Sequence, residues 1–268
     1  MSVTFTEAEN QICTVSRMIE EEKIYYVTAG GPPLLSMLLA MKKHAPNTTY
    51  VLENGTIGPK PIVPLDPFMT LISSKSDRHA VMWTNMNLTN WFASGGFFEY
   101  GILAGIQIDQ YGNFNSGFLG GDYYHPGRRF GGPGGANEIA SLCWKTIIMT
   151  DQQKRKFVKR TDFVSSPGYL DGSENARQRA GMPRGTGPYR VVTGQAVFGY
   201  DENTRKMKLL AVAPWLTVDD ILAEMDFEPV LSDPIEAMVP PTEEELDTLR
   251  VLLDPGGQTV GKGEWVTF

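Results

Sequence analysis

The sequence feature that most constrains the fold is an apolar run that ends in a carboxylate at a glycine turn. Thr49–Leu52 contains β-branched, aromatic and aliphatic residues and predicts a buried strand. Glu53 follows directly, and Asn54-Gly55 then predicts a turn, because both residues tolerate a positive φ. Ligands of open α/β sheets bind beyond the carboxyl ends of the strands. Glu53 is therefore a candidate functional residue, although Glu-Asn-Gly alone is also a common surface turn.

A strand, a glycine turn and a helix are also predicted earlier in the chain. Ile24–Val27 predicts a short strand, Gly30 and Gly31 a turn, and residues 34–41 an apolar helix. Backbone N–H groups in such a turn can approach an anion at the start of a helix. Tight packing between a strand and a helix would also explain the two glycines. Two units of this kind within the first sixty residues favour a parallel sheet.

A glycine-dense segment at residues 120–135 leads into another predicted helix. It ends in Gly134 and Gly135, shortly before the apolar residues 139–144. A run of N–H groups beside a helix start can form an oxyanion hole or bind an anion, and a flexible loop is the alternative. His125 lies in this segment, but no pair of the three histidines has metal-ligand spacing, so we expect no metal site.

The C-terminal third predicts short antiparallel strands and helices on the same domain. Residues 189–200 indicate two strands around Gly194, and Met207–Val212 indicates a third. Thr217 and Thr242 are predicted N-caps, the second for a helix that reaches Leu253. Thr6 with Glu9 predicts a capping box for the first helix. We therefore expect a single α/β domain over residues 1–268, with a mainly parallel sheet and a small antiparallel C-terminal meander.

Composition excludes several classes of partner. The 268 residues include 24 Lys and Arg against 31 Asp and Glu, giving a formal charge of −7 without a basic stripe. Nucleic acid and membranes are therefore poor candidates as partners. Cys13 and Cys143 are too few and too distant for a metal signature or a disulfide framework. The N-terminus lacks a secretory pattern and no apolar run is long enough to span a bilayer, so we expect a cytoplasmic protein.

The combination of one carboxylate with glycine-rich loops suggests acyl transfer. No nucleophile elbow, Walker loop, dinucleotide fingerprint or zinc motif occurs in the sequence. A carboxylate becomes a competent nucleophile when it is desolvated and held against an activated acyl group. The oxyanion that forms on attack then needs N–H donors.

Short motifs in a specific order run along nearly the whole chain. They are Glu53-Asn54-Gly55, Gly105-Ile106-Gln107-Ile108-Asp109, Gly112-Asn113-Phe114-Asn115-Ser116, Gly121-Asp122-Tyr123-Tyr124-His125-Pro126, Gly134-Gly135-Ala136-Asn137, Ser165-Ser166-Pro167-Gly168-Tyr169-Leu170-Asp171-Gly172, and Val191-Val192-Thr193 with Ala196-Val197-Phe198. In order and spacing, these motifs resemble the β (B) subunit of glutaconate-type coenzyme A transferases, in the class I CoA-transferase family.

The resemblance implies an open α/β sheet flanked by helices and an active site shared with an α subunit. It implies that Glu53 is the catalytic nucleophile, which forms an acyl-glutamyl anhydride and then a glutamyl-CoA thioester. The substrates would be an acyl-CoA and a carboxylic acid, with a dicarboxylic acid as the favoured kind, and no cofactor would be permanently bound. Candidate residues for the oxyanion or for CoA are Gly134, Gly135, Gly30, Gly31 and Asn54.

Two departures from the family pattern leave other roles open. The pair Asn54-Gly55 differs from the pair that often follows the family's glutamate, and Gly30-Gly31 lies where relatives carry a Gly-x-Gly-Leu-Pro-like pattern. Some relatives decarboxylate a methylglutaconyl-CoA, and others open steroid rings hydrolytically with a glutamate of the α subunit. The presence of Glu53 favours transfer. The alternatives are a CoA-thioester hydrolase, including a ring-opening one, and a non-catalytic subunit that supports an active α chain.

Overall fold

The computed structural model describes residues 3–28, 30–65, 77–257, 260 and 265–267. The strands are β1 (Thr4–Thr6), β2 (Ile24–Val27), β3 (Thr49–Leu52), β4 (Thr56–Ile57), β5 (Met82–Trp83), β6 (Tyr100–Ala104), β7 (Gln107–Ile108), β8 (Phe114–Asn115), β9 (Phe118–Gly121), β10 (Pro126–Arg129), β11 (Lys145–Met149), β12 (Pro188–Val192), β13 (Ala196–Tyr200), β14 (Met207–Val212), β15 (Val230–Ala237) and β16 (Trp265–Thr267). The helices are α1 (Glu7–Arg17), α2 (Gly31–Lys43), α3 (Met86–Ser94), α4 (Ala136–Leu142), α5 (Ala176–Arg179), α6 (Val218–Ala223) and α7 (Glu243–Asp247), and a π-helical segment (Thr248–Leu253) follows α7.

The main sheet has ten strands in the order β15-β14-β13-β12-β11-β6-β2-β3-β4-β5. Its centre, from β12 to β3, is parallel, which confirms the predicted parallel sheet. The strands β2 and β3 run in register, with Val27 beside Leu52. Glu53 therefore follows its strand at the same sheet edge where the turn after β2 begins.

Alternate side chains of the central strands enter two separate cores. Tyr25 and Leu52 belong to a core that includes residues of α1 and α2. Tyr26 and Val51 belong to a core on the opposite face that includes residues of α3 and α4. Since side chains alternate along a strand, the Glu53 side chain lies on the same face of the sheet as Val51, the face that α4 covers.

The antiparallel C-terminal meander and the helix caps are as predicted. The strands β12, β13 and β14 pair antiparallel, and β15 then runs parallel to β14. Thr6, Thr217 and Thr242 each accept a hydrogen bond from the backbone N–H three residues later, in a capping box. The last helix differs from the prediction, because α-helical geometry ends at Asp247 and a π-helical segment continues to Leu253.

The chain after Glu53 is the main departure from the predicted organisation. It returns as the short strand β4, antiparallel to β3, and β4 pairs with β5, so the predicted turn at Asn54-Gly55 opens a hairpin that was not predicted. The helix α2 also begins earlier than predicted, at Gly31, because prolines fit the first helical turn, where no N–H donor is needed. Among the described residues, no helix is long and apolar enough to cross a membrane.

Candidate active site

A tight turn at the end of β3 positions Glu53. The N–H of Gly55 donates to the carbonyl of Leu52 at 3.0 Å, which closes the turn around Glu53. Gly55 has φ 95°, and a Cβ there would lie 2.5 Å from the carbonyl oxygen of Thr84. The N–H of Thr84 in turn donates to the Gly55 carbonyl at 2.8 Å. The turn therefore requires glycine at position 55, because the segment after β5 packs directly against it.

The side chain of Asn54 supports the same turn. Its amide N–H donates to Asp77 Oδ2 at 3.1 Å, and its Oδ1 accepts from the N–H of Thr56 at 3.1 Å. Asx side chains commonly stabilise turns in this way. The observed contacts of Asn54 are local, and its role toward the oxyanion or CoA stays a prediction.

The carboxylate of Glu53 lies against the glycine loop that precedes α4. The Glu53 residue is only 8% exposed, and its Oε2 accepts a hydrogen bond from the Gly135 N–H at 2.5 Å. A Cβ on Gly135 would lie 2.6 Å from this oxygen, and a Cβ on Gly134 would lie 3.1 Å from both carboxylate oxygens. The structure thus brings Glu53 together with both glycines that the sequence indicated, and no side chain fits at Gly135.

Tyr26 and Asn90 complete the surroundings of this contact and were not predicted. The buried Tyr26 donates its hydroxyl proton to Asn90 Oδ1 at 3.4 Å. A Cβ on Gly135 would come within 3.2 Å of the Tyr26 hydroxyl, so this hydroxyl lies beside the Glu53–Gly135 contact. Tyr26 pairs with Val51, and the alternation of side chains along β2 and β3 is the sequence signal that could have identified it.

Burial controls the electrostatics of the site. Desolvation raises the pKa of Glu53, the Gly135 N–H opposes this rise, and the charge of Glu138 adds to it. Burial also raises the pKa of Tyr26, with a further contribution from the Glu53 charge, so its hydroxyl stays protonated. The site therefore holds a poorly solvated carboxylate next to N–H and O–H donors, an arrangement suited to nucleophilic attack by the carboxylate.

Gly30 and Gly31 lie at the end of β2, on the strand next to β3. They have φ values of 96° and 61°, and Gly30 is the N-cap of α2. A Cβ on Gly31 would have only Pro33 Cδ within 4 Å, apart from its immediate chain neighbours. The positive φ values explain why glycine occupies both positions. The predicted role of these glycines in binding CoA stays a prediction.

The segment over residues 81–97 carries several exposed apolar side chains, and we call these side chains the apolar face. Trp83 and Trp91 are 62% and 73% exposed. The other exposed members of the apolar face are Val81, Met82, Met86, Leu88 and Phe97. Its segment also carries Thr84, which bonds Gly55, and Asn90, which bonds Tyr26. The apolar face therefore lies next to the turn that holds Glu53, and exposed patches of this kind commonly mark interaction sites.

Comparison with known proteins identifies a matching family. A model of the coenzyme A transferase family matches residues 8–224. The B subunit of glutaconate CoA-transferase from Acidaminococcus fermentans is 33% identical over 263 residues, and the match covers 94% of each chain. A chain in the crystal structure of glutaconate coenzyme A-transferase from the same organism superposes with a TM-score of 0.87 at 30% identity, covering 96% of this chain and 98% of that one.

Two further relatives bear on the chemistry. The B subunit of 3-oxoadipate CoA-transferase from Pseudomonas knackmussii is 28% identical over 246 residues, covering 91% of this chain and 92% of that protein. The cholesterol ring-cleaving hydrolase IpdB subunit of Mycobacterium tuberculosis is 29% identical over 181 residues, covering 63% of this chain and 68% of that protein.

Proposed function

This chain belongs to the coenzyme A transferase family, and we propose that it is the β subunit of a heteromeric CoA transferase with Glu53 as its nucleophile. The observation that carries the proposal is the buried Glu53 carboxylate on the N–H of Gly135. The relatives that match over more than nine-tenths of the chain act, by their names, on glutaconate and 3-oxoadipate. We therefore propose a dicarboxylic acid as one substrate and its acyl-CoA partner as the other.

The first half-reaction moves CoA onto Glu53. The carboxylate attacks the thioester carbonyl of the donor acyl-CoA, the C–S bond breaks, and CoA leaves as a thiolate. The product on the enzyme is an acyl-glutamyl anhydride. The thiolate then attacks the glutamyl carbonyl carbon and displaces the donor carboxylate, which leaves a glutamyl-CoA thioester.

The second half-reaction repeats these steps in reverse with the acceptor. The acceptor carboxylate attacks the glutamyl thioester, displaces the thiolate and forms a new anhydride. The thiolate then attacks the acceptor's acyl carbon, which releases the new acyl-CoA and the free Glu53 carboxylate. The cycle requires no permanently bound cofactor, because Glu53 itself carries CoA between the substrates.

The Gly135 N–H has a specific part in this cycle. Thiolate attack on the anhydride and acceptor attack on the thioester both occur at Glu53 Cδ. Each tetrahedral intermediate therefore places an oxyanion on a side-chain oxygen of Glu53. The N–H already contacts Oε2 in the resting site, so the donor is in position before the charge develops.

The apolar face supports the proposed second subunit. Tryptophan and methionine are enriched in protein interfaces, and exposed Trp83 and Trp91 are residue types that dominate binding energy. A subunit seated on this face would lie beside the turn of Gly55 and the Asn90–Tyr26 contact. This position fits an active site between two subunits, where the second chain helps to bind the acyl group and to exclude water.

A CoA-thioester hydrolase is the second candidate, since a ring-cleaving hydrolase subunit is among the relatives. In that case Glu53 would act as a base, and water would replace the carboxylate acceptor. The covalent route is favoured by the burial of Glu53 and by the closer match to transferase subunits over nearly the whole chain.

Half-reaction kinetics test the proposal. The complex of this chain with an α subunit of the family is incubated with glutaryl-CoA and ¹⁴C-labelled glutarate, without a second acid. We expect the label to enter the acyl-CoA. When the donor acyl-CoA is varied at several concentrations of a different acceptor acid, the initial rates should give the parallel double-reciprocal lines of a ping-pong reaction. A donor thioester that is consumed without any exchange would contradict the proposal.

A further inference from the structure

Arg177, in α5, has an unusual environment for a charged residue. It is only 4% exposed, although it lies in a long polar loop. Its two terminal nitrogens donate five hydrogen bonds. Nη1 donates to the carbonyls of Pro167 at 3.1 Å and Gly168 at 2.7 Å. Nη2 donates to the carbonyls of Ala140 and Ser141 and to Thr186 Oγ1, each at 3.0 Å. All five acceptors are neutral oxygens. A buried charge normally needs a strong compensating network, and here backbone carbonyls supply most of it.

Two of these acceptors belong to the end of α4. The last carbonyls of a helix have no partner within the helix, and a positive charge there is favourable. Arg177 satisfies the carbonyls of Ala140 and Ser141, and the Thr186 hydroxyl shares its one proton between the Ser141 carbonyl at 3.1 Å and the Pro183 carbonyl at 2.8 Å. Arg177 and Thr186 therefore fix the C-terminal end of this helix to the loop over residues 167–187.

The other end of α4 begins at the active site. Gly135 is its N-cap, and the helix has seven residues, a length of roughly 10 Å. A short helix transmits a shift at one end to the other, because its backbone hydrogen bonds keep it rigid. The position of the Gly135 N–H relative to Glu53 thus depends on what holds the far end of α4.

We propose that Arg177 is a positioning residue, which holds α4 so that the Gly135 N–H stays aimed at Glu53 Oε2. The effect of Arg177 on the rate of CoA transfer rests on the proposed function, whereas its effect on the Glu53–Gly135 contact does not. Burial lowers the pKa of Arg177 to about 10, so the guanidinium keeps its charge at neutral pH. A longer Gly135–Glu53 contact would remove the one hydrogen bond that lowers the pKa of Glu53, and that pKa would rise further.

Two other titratable groups face Glu53 among the described residues. Tyr26 approaches it from β2, and Glu138 approaches it from α4. Both remain in variants of Arg177, so a change in the titration of Glu53 would report a change in the position of α4.

The test combines Arg177→Lys with the milder, nearly isosteric Thr186→Val. Arg179→Gln is the matched control, because Arg179 lies in the same helix but is exposed, and its hydrogen bonds among the described residues go to Glu174 and Ser173 in its own loop. The chain is labelled with ¹³C at glutamate carboxylates, Glu53 is assigned with Glu53→Gln, and its titration is followed by NMR. The kcat and KM of the complex with the α subunit are measured in parallel.

We expect Arg177→Lys to raise the pKa of Glu53 and to lower kcat about tenfold, with KM for acyl-CoA within about twofold. Thr186→Val should act in the same direction with a smaller effect, and Arg179→Gln should match the wild type. A folded Thr186→Val or Arg177→Lys chain with an unchanged Glu53 titration would overturn the proposal, even if its stability were lower. If the pKa of Glu53 shifts in the Arg177 and Thr186 variants but the wild-type complex transfers no CoA, the proposed function is rejected and the positioning role of Arg177 is retained.

Discussion

The Glu53 carboxylate and the Gly135 N–H, 82 residues apart in the chain, lie 2.5 Å apart at the edge of the sheet. The first belongs to a turn after β3, and the second to the loop that starts α4. A hydrogen-bond donor is therefore fixed on the side-chain oxygen where, in the proposed cycle, negative charge develops.

Alanine at position 135 tests this contact by steric means. Gly135 has φ −77°, which any residue adopts, so the substitution changes only the space beside Glu53. The added Cβ would lie 2.6 Å from Oε2, and either the carboxylate or the loop must move. We expect kcat of the complex to fall at least about 100-fold, as for loss of an oxyanion donor, in steady-state assays of CoA transfer.

Gly131→Ala is the control in the same loop, because a Cβ there would meet nothing within 4 Å. It should retain activity within about twofold, in the range of surface substitutions without contacts. Equal losses in both variants would show that loop flexibility matters and that the contact with Glu53 does not.

The raised pKa of Glu53 predicts a pH-dependent gain in stability for Glu53→Gln. Burial favours the protonated acid in the folded chain, so wild-type stability falls as pH rises from the ordinary value of 4.5 through the raised pKa. Gln cannot ionise, so the variant should have a Tm about 2 °C higher at pH 7. Thermal unfolding at pH 4 and pH 7 should show this difference disappearing in acid. The exposed Glu202→Gln serves as the control, and a lower Tm for Glu53→Gln at pH 7 would contradict the electrostatic account.

The apolar face predicts where the second subunit docks. Trp91→Glu places a charge on the more exposed tryptophan of the apolar face and should weaken the complex at least about 100-fold, measured by titration calorimetry or analytical ultracentrifugation. The matched control is Val251→Glu, since Val251 is 74% exposed, close to the 73% of Trp91, but belongs to the π-helical segment on the other side of the sheet. Normal assembly of the Trp91 variant would exclude the apolar face as the interface.

Product analysis separates transfer from hydrolysis. Transfer conserves the total amount of thioester, whereas hydrolysis releases one free thiol for each acyl-CoA consumed. With saturating acceptor acid, we expect chromatography to show new acyl-CoA in a one-to-one ratio with donor consumed, and a thiol reagent to show no net release. Thiol release that keeps pace with donor consumption would favour the hydrolase.

Local sequence rules predicted much of the fold. The bounds of β2, β3 and β14, and the capping residues Thr6 and Thr217, agree with the structure, because periodicity and N-cap chemistry act within a few residues. The hairpin after Glu53 was missed, since β4 and β5 have only two residues each, too few to show a strand pattern, and β5 pairs with β4 across a long intervening segment. The π-helical end of the last helix likewise has no local signal in the sequence.

The candidate site was also predicted only in part, because local sequence signals do not reveal tertiary contacts. Glu53 and the pair Gly134–Gly135 were indicated by local composition and by family motifs, but their contact is tertiary. Tyr26 and Asn90 looked like ordinary strand and helix residues; the pairing of β2 with β3 places Tyr26 beside the Glu53–Gly135 contact, and the position of α3 brings Asn90 to the Tyr26 hydroxyl. Arg177 could not be distinguished from other loop arginines until its burial was known.

The most direct test of the central claim is chemical trapping of the covalent intermediate. The complex of this chain with its α subunit is incubated with an acyl-CoA donor and then with hydroxylamine, which attacks the glutamyl-CoA thioester and displaces CoA. Mass spectrometry of the digested chain should locate a hydroxamate on Glu53, present only when donor is added and absent in Glu53→Gln. Consumption of the donor without any adduct on Glu53 would contradict its role as the nucleophile.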